Sequence, residues 1–306
     1  MGRFIANRIV SMAITLLLVI TITFFLMHAI PGGPFTREKT LPPAVIKALE
    51  AKYKLDQPLW KQYVDYLAGI AKFDLGPSFQ KIGVRVNDMI EKGFPISAKV
   101  GGFSVLLVLL AGIPIGMISA LKQNKWQDQL AMIVATLGVT IPAFVLSALI
   151  IYIFSSKLGL LPSFGLKSWK HYIGPVVALG GFSLSFVSRL TRSSMLEVLQ
   201  QDYIRTARAK GLPEFVVIAK HALKNALIPV VTYVGPMIAH ILTGSFVVER
   251  VFAIPGMGKY FVESVNNRDY TVLMGMTVFY AAFLVTMVLI VDIVYVFIDP
   301  RIKVGE

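Results

Sequence analysis

Runs of about 20 apolar residues, long enough to carry a helix across about 30 Å of hydrocarbon, recur six times in this chain. They lie near 9–30, 100–121, 130–154, 173–190, 227–248 and 272–298. Inside hydrocarbon every backbone N–H and C=O must be satisfied within the protein, which leaves helices or closed barrels. Runs of this length predict helices. The expected fold is therefore an all-α integral membrane protein with six transmembrane helices. Composition agrees: 56% of residues are hydrophobic and 15% charged, where soluble domains carry about a quarter charged.

An even number of spans puts both termini on one side, and the bias of Lys and Arg in short loops says which side. With the termini inside, segments 1–8, 122–128, 189–226 and 299–306 hold 13 cations in 61 residues. The short outer loops 155–172 and 249–271 hold 6 in 41. Both termini are thus expected to be cytoplasmic. The organisation reads as an N-terminal segment and first span (1–30), an outer loop (31–99), a five-span core (100–298) and a cytoplasmic tail (299–306). The first apolar run is longer than a signal-peptide core and no small-residue cleavage site follows it, so it is expected to stay as a span. Ala6 also breaks the myristoylation pattern.

The net charge of +13 raises the question of nucleic acid. The cations are scattered among loops with no aromatic-interleaved basic face, so basic loops facing membrane lipids are expected and no nucleic-acid partner. With no cysteine in the chain, disulfides and thiolate metal sites are excluded. The long outer loop is patterned rather than featureless. Leu59, Trp60, Tyr63, Val64, Leu67, Ile70 and Ala71 share one helical face after Pro58, and Val45, Leu49 and Tyr53 make a shorter stripe. Amphipathic helices are expected there, packed on the spans or open to a partner. Pro114, Gly116, Gly138, Pro142, Gly180, Gly181, Pro229, Gly235, Pro236 and Gly244 punctuate the spans and suit a bundle that bends.

Catalytic chemistry is missing. A membrane enzyme needs convergent titratable groups, yet the six runs contain only His28, His240 and Asp292, with Arg189 at a span end. No HExxH or other metal-ligating pattern occurs, so no catalytic and no metal residues are expected. Asp292 is expected to form an intramembrane ion pair with a basic inner loop, and the two histidines to make polar contacts between helices. PGMGKY at 255–260 lacks phosphate-loop spacing and reads as a turn. No cofactor should bind this chain, and energy must come from another polypeptide.

The inner loop 189–226 carries the most information. YIRTARAKGLPEFVV, residues 203–217, places Arg205, Arg208 and Lys210 before a Gly-Leu-Pro break. Asp202 can cap a helix starting at Tyr203. Ala207 and Gly211 lie four apart as a small-residue stripe. Gly211 ends the helix, and Pro213 restarts one leading toward Pro229 and the fifth span. Two readings fit this pattern: a basic helix resting on anionic headgroups, or a helix seated in a protein groove.

RTARAKG, followed by HALKNALIP, resembles the coupling loop of permease subunits of binding-protein-dependent ABC importers, in the peptide and nickel branch. ALKQN at 120–124, SRLTRSSMLEVL at 188–199, ERVFAIPGMGKYFVESVNNRDY at 249–270 and DPR at 299–301 extend the likeness over nearly the whole chain. PGGPFTREKTLPP at 31–43 and LGPSFQ at 75–80 look most like the first permease subunit of oligopeptide importers. The general family pattern has Glu-Ala-Ala where this chain has Arg205, Thr206 and Ala207.

The resemblance implies a type I importer permease fold in a bacterial cytoplasmic membrane and a non-catalytic subunit. It implies a second homologous permease, two ATP-binding cassette ATPases that hold ATP and Mg, and an extracytoplasmic binding protein that delivers peptide. Tyr203, Arg205, Thr206, Ala207, Arg208, Lys210, Gly211, Leu212, Pro213 and Phe215 would be the ATPase-coupling element. Tyr233, Met237, Thr243 and Ser245 on span five are candidates for the translocation path. Dipeptides or nickel chelates are alternative cargoes. A stand-alone channel or proton-linked carrier using His240 and Asp292 is the reading from another class.

Overall fold

A computed structural model describes residues 2–31, 33–35, 42–242 and 245–298. The side chains of 2–5 and of Asp292 fall outside that description, as does Thr243. Regular structure among the described residues is helical, apart from one isolated bridge between Pro77 and Arg85. Five helical stretches are each long and apolar enough to cross a bilayer: Ala6–Ala29, Val86–Leu121, Lys170–Leu199, Ile228–Val251 and Tyr270–Ile290. The bent pair Trp126–Thr140 and Ala143–Lys157, whose axes differ by 110°, brings the number to six when it is counted as one broken span.

The chain divides into two compact units. One contains the residues up to Ile96 together with Pro255–Thr286. Its elements are α1 (Gly2–Ala29), α2 (Pro43–Lys52), α3 (Leu59–Ala71), the start of α4 (Val86–Leu107), α14 (Met257–Asn267) and most of α15 (Tyr270–Ile298). Pro42 and Pro58 precede α2 and α3 with φ −53° and −54°, the pre-set angle that starts a helix. The expected apolar face of α3 splits. Tyr63 and Tyr66 turn onto α1, with ring centroids 5.2 and 5.9 Å from Phe24, and the Tyr63 hydroxyl lies 2.6 Å from Thr21 Oγ1. Trp60 and Val64 remain exposed.

Buried Asp269 ties this unit together. It accepts from the Ser78 hydroxyl and from the backbone N–H of Phe79 at 3.1 Å, Gln80 at 3.3 Å and Val272 at 3.3 Å. The 255–260 run is only partly a turn, because α14 begins at Met257 with Gly256 as its N-cap.

The other unit contains Ser97–Ile254. There α4 continues through a π-helical turn, Val108–Gly112, into α5 (Ile113–Leu121). It is followed by α6 (Trp126–Thr140), α7 (Ala143–Ile150), α8 (Lys170–Leu199), α9 (Asp202–Ala209), α10 (Glu214–Val216), α11 (Leu223–Ala226), α12 (Ile228–Leu242) and α13 (Phe246–Val251). The single third span expected over 130–154 is corrected to two helices. Pro142 has no N–H to donate, and Ile141 before it is extended at φ −82°, ψ 118°, which ends α6. The fourth span, expected at 173–190, is a 30-residue helix that runs to Leu199. Its low hydropathy comes from the small and hydroxyl residues with which it packs. The second span begins in helix at Val86, well before its apolar run.

The helix α8 runs close to α5 and α6. A Cβ placed on Gly116 would lie 2.4 Å from the Ser188 carbonyl oxygen, and one on Gly138 would collide with the Ser185 hydroxyl. Val108, Val187, Val230, Met237 and Ile241 form a buried cluster in the same unit. Gly116→Leu should therefore lower stability by about 1–3 kcal/mol through overpacking. Gly102→Ala, inside α4 where a Cβ meets nothing within 4 Å, should not lower it and can raise it by up to about 1 kcal/mol through helix propensity. Thermal melts of the detergent-purified protein distinguish the two.

Candidate functional site

The segment between α8 and α12 folds back on itself. Gln201 is the N-cap of α9, with φ −70° and ψ 148°, and no side chain caps the helix. The expected Asp202 cap is thus corrected: its carboxylate lies 3.5 Å from Arg205 Nη1, and Thr206 Oγ1 donates to its backbone carbonyl at 2.9 Å. After Lys210 the chain enters Gly211 at φ +74°, a left-handed conformation that glycine adopts without steric cost. Pro213, at φ −56° and ψ 139°, then starts α10. A π-helical turn, Val217–Ala222, joins α10 to α11.

Two contacts hold this bend closed. Arg208 spans the Gly-Leu-Pro break to Glu214, with Nη2 donating to Oε1 at 2.7 Å and Nε to Oε2 at 3.2 Å. Asn225 Nδ2 donates to the Tyr203 hydroxyl at 3.0 Å. The Arg208 guanidinium holds the Glu214 carboxyl below its ordinary pKa by hydrogen bonding, and Arg208 is raised in return. Sequence reasoning had not paired these two residues.

The small-residue stripe is also corrected. Ala207 is 6% exposed and, with Ile204, packs into the chain's own core against Ala120, Met195, Val217 and Ala222. Gly211 is exposed, so the two residues do not form one outward face. The inward face of α9 follows from its spacing, because residues three apart stack on one side of a helix. The outward surface presents Tyr203, Arg205, Lys210, Leu212 and Phe215. Phe215 is 80% exposed, which sets a large apolar ring beside the exposed cations Arg205 and Lys210.

Of the four candidate path residues, three share one cavity. Tyr233, Met237 and Ser245 line a space of about 340 Å³ together with Phe182, Ser183 and His240. Tyr233 also packs on Phe186, with ring centroids 4.4 Å apart. Ala143, just after the break between α6 and α7, lines the same space. Thr243 and the Asp292 side chain lie outside the described residues. His28 satisfies its own helix, with Nδ1 2.8 Å from the Phe24 carbonyl oxygen. Among the described residues no group of His, Asp and Glu side chains could hold a metal.

Sequence reasoning also missed Asp128, which is 3% exposed and faces Arg192 across α6 and α8. Asp128 lies just outside its apolar run and 64 residues from its partner, so no local pattern marks the pair.

Taken together, these features define a multi-pass helical membrane protein with a cationic, folded-back loop between two spans. The chain belongs to the family of binding-protein-dependent transport system inner membrane components, whose model matches residues 112–304, and the companion N-terminal model matches 1–100. It is 51% identical to the dipeptide transport system permease protein DppB of Bacillus subtilis over 100% of this chain and 99% of that one. It is 44% identical to the oligopeptide transport system permease protein OppB of Escherichia coli K12, over 99% and 100% respectively. An amino acid ABC transporter structure shares the fold at TM-score 0.55 and 16% identity, covering 68% of this chain and 94% of that one. The methionine transporter MetNI does so at TM-score 0.54 and 19% identity, covering 71% and 97%. The protein is accordingly a multi-pass component of the bacterial inner membrane.

The Arg208–Glu214 pair yields a pH prediction. A depressed carboxyl pKa contributes stability that is complete above the unfolded value of about 4.3 and is lost as pH falls through the folded value. Exposure limits the contribution to about 0.2–1 kcal/mol. Amide-exchange protection at 211–217, corrected for intrinsic rates, should hold steady from neutral pH to about 4.3 and drop below it. Glu214→Gln should show weaker protection with no such dependence.

Proposed function

We propose that this chain is a permease subunit of an ATP-driven importer and forms half of the translocation path for oligopeptides. The observation that carries this reading is the two-faced α9. Its inner face is built into the ends of the spans, while its outer surface offers Arg205, Lys210, Leu212 and the exposed ring of Phe215. A helix meant to rest on lipid has no reason to anchor itself so firmly inward. A helix that receives force must do so. An ATPase groove with acidic or polar walls and an apolar floor fits the outward surface.

On this reading the chain carries no catalytic residue and no cofactor. ATP and Mg sit on two partner ATPases, and closure of those subunits pushes on Tyr203 through Phe215. Arg208 shapes the element by bracing the bend through Glu214, and Gly211 with Pro213 sets its angle. A second, homologous permease completes the path, and an extracytoplasmic binding protein delivers the cargo. The cavity lined by Tyr233, Met237 and Ser245 supplies an apolar wall with a few polar groups, which suits cargo of varied side chains. Relatives with peptide-transport names match the chain end to end, and the dipeptide name at 51% identity favours dipeptides as the second reading of cargo.

The test is uptake of labelled di- and oligopeptides by vesicles holding both permeases and both ATPases, with binding protein outside. Uptake should require ATP and binding protein. Gly211→Glu places a strained residue and a negative charge on the cationic surface, and should abolish uptake while ATP hydrolysis continues. Peptide uptake by this chain alone would favour the carrier reading instead.

A further inference from the structure

The carboxylate of Asp128 is fully engaged inside the protein. Arg192 grips it with two bonds, Nε to Oδ1 at 2.6 Å and Nη2 to Oδ2 at 2.7 Å. Ser119 donates its hydroxyl to Oδ1, and the backbone N–H of Asn124 donates to Oδ2 at 2.9 Å. Ser119 is itself completely buried. Asn124 sits at φ +62° in the tight turn from α5 to α6, a conformation asparagine tolerates. One carboxylate thus joins α5, the following turn, α6 and α8. These are the neighbouring ends of the second, third and fourth spans.

The position of this junction gives it meaning. Ala120, next to Ser119, and Met195, three residues beyond Arg192, are both buried in the cluster that receives Ile204 and Ala207 of α9. Met117 and Leu196 pack against the same cluster. The inner face of the coupling segment therefore presses on the very helix ends that Asp128 holds together. A bidentate, charge-assisted bond fixes orientation as well as distance, and a buried pair of this kind is better suited to specifying geometry than to adding stability.

We propose that Asp128 and Arg192, held by Ser119, are positioning residues of transport. They lock the ends of spans two, three and four into one block, so that displacement of α9 moves the bent third span rather than sliding one helix past another. This rests on the importer reading only for its transport readout; the locking itself can be measured without cargo.

The chain has no cysteine, so spin labels can be placed cleanly. Trp126, at the start of α6, and Glu197, near the end of α8, are exposed and report on the two helix ends that the ion pair joins. Labels are introduced at both in the full complex, and their separation is measured nucleotide-free and after ATP–vanadate trapping. The native pair should give one narrow distance peak that does not move between the two states. Asp128→Asn combined with Arg192→Gln leaves no unpaired buried charge and should still copurify with its partners. It should give a broadened or state-dependent peak, with peptide taken up per ATP hydrolysed reduced about tenfold.

Arg192→Lys, which keeps charge but not the two-pronged geometry, should fall between the two. If the double variant assembles and keeps both the narrow, fixed peak and the native uptake ratio, the proposal is wrong. If it does not assemble, Arg192→Lys decides the matter on the same two readouts. Native complex that takes up no peptide would refute the importer reading, and the distance peaks would still judge the lock.

Discussion

Close approach of helix backbones to α8 is the constraint on which the second unit depends. Lipid tails are as apolar as leucine, so helices in a bilayer gain little from burying apolar surface against one another. They associate through tight packing and polar contacts instead. The buried positions of α8 suit that requirement: Gly174, Ala178, Ser183, Ser185, Ser188 and Ser194 are all small. Opposite them, Gly116 of α5 and Gly138 of α6 leave no space for a side chain. The strongest polar contact then sits at one end of these interfaces, where Arg192 meets Asp128. Packing holds the helices along their length, and the ion pair joins them at the end nearest α9.

How much of this was legible depends on the range of each signal. Hydropathy is a local property, and it located the five long apolar helices and the bent pair. It undervalued the fourth, because the serines and glycines that make α8 a good packing partner lower its apolar score. Pro142 was visible as punctuation, but the 110° change of direction is set by the extended Ile141 and by packing on either side, which no local pattern encodes. Asp202 illustrates the opposite error. A favourable cap residue stood in the right place, yet the helix starts one residue earlier and the carboxylate turns toward Arg205.

The segment 203–215 shows the same division. Its break at Gly211 and Pro213 was readable, because the left-handed conformation and the fixed proline φ are demands of single residues. Its facing was not. The spacing of Ala207 and Gly211 suggested one small-residue surface, whereas Ala207 belongs with Ile204 in the core and Gly211 is there for its backbone. In the outer unit, likewise, the helices after Pro42 and Pro58 were legible. The Asp269 knot was not, since it joins residues 191 apart to form the Ser78 contact.

Among the described residues, three π-helical turns interrupt the helices of the second unit: Val108–Gly112 in the second span, Ile151–Lys157 in the third, and Val217–Ala222 in the arm beyond the Gly211–Pro213 bend. Each contains a wider hydrogen-bond repeat than the α-helix around it, and such turns are often found at functional sites. Two of them lie in spans whose ends Asp128 joins, and the third lies directly on the path from α9 to α12. Bending in this unit is therefore concentrated at a few places, with stiff helix between them. A rigid junction at Asp128 and pliable turns farther along the same helices complement each other. On the proposed reading, where the ends cannot slide, a push at α9 appears as a change of angle at the turns, and a change of angle can open one side of a bundle while closing the other.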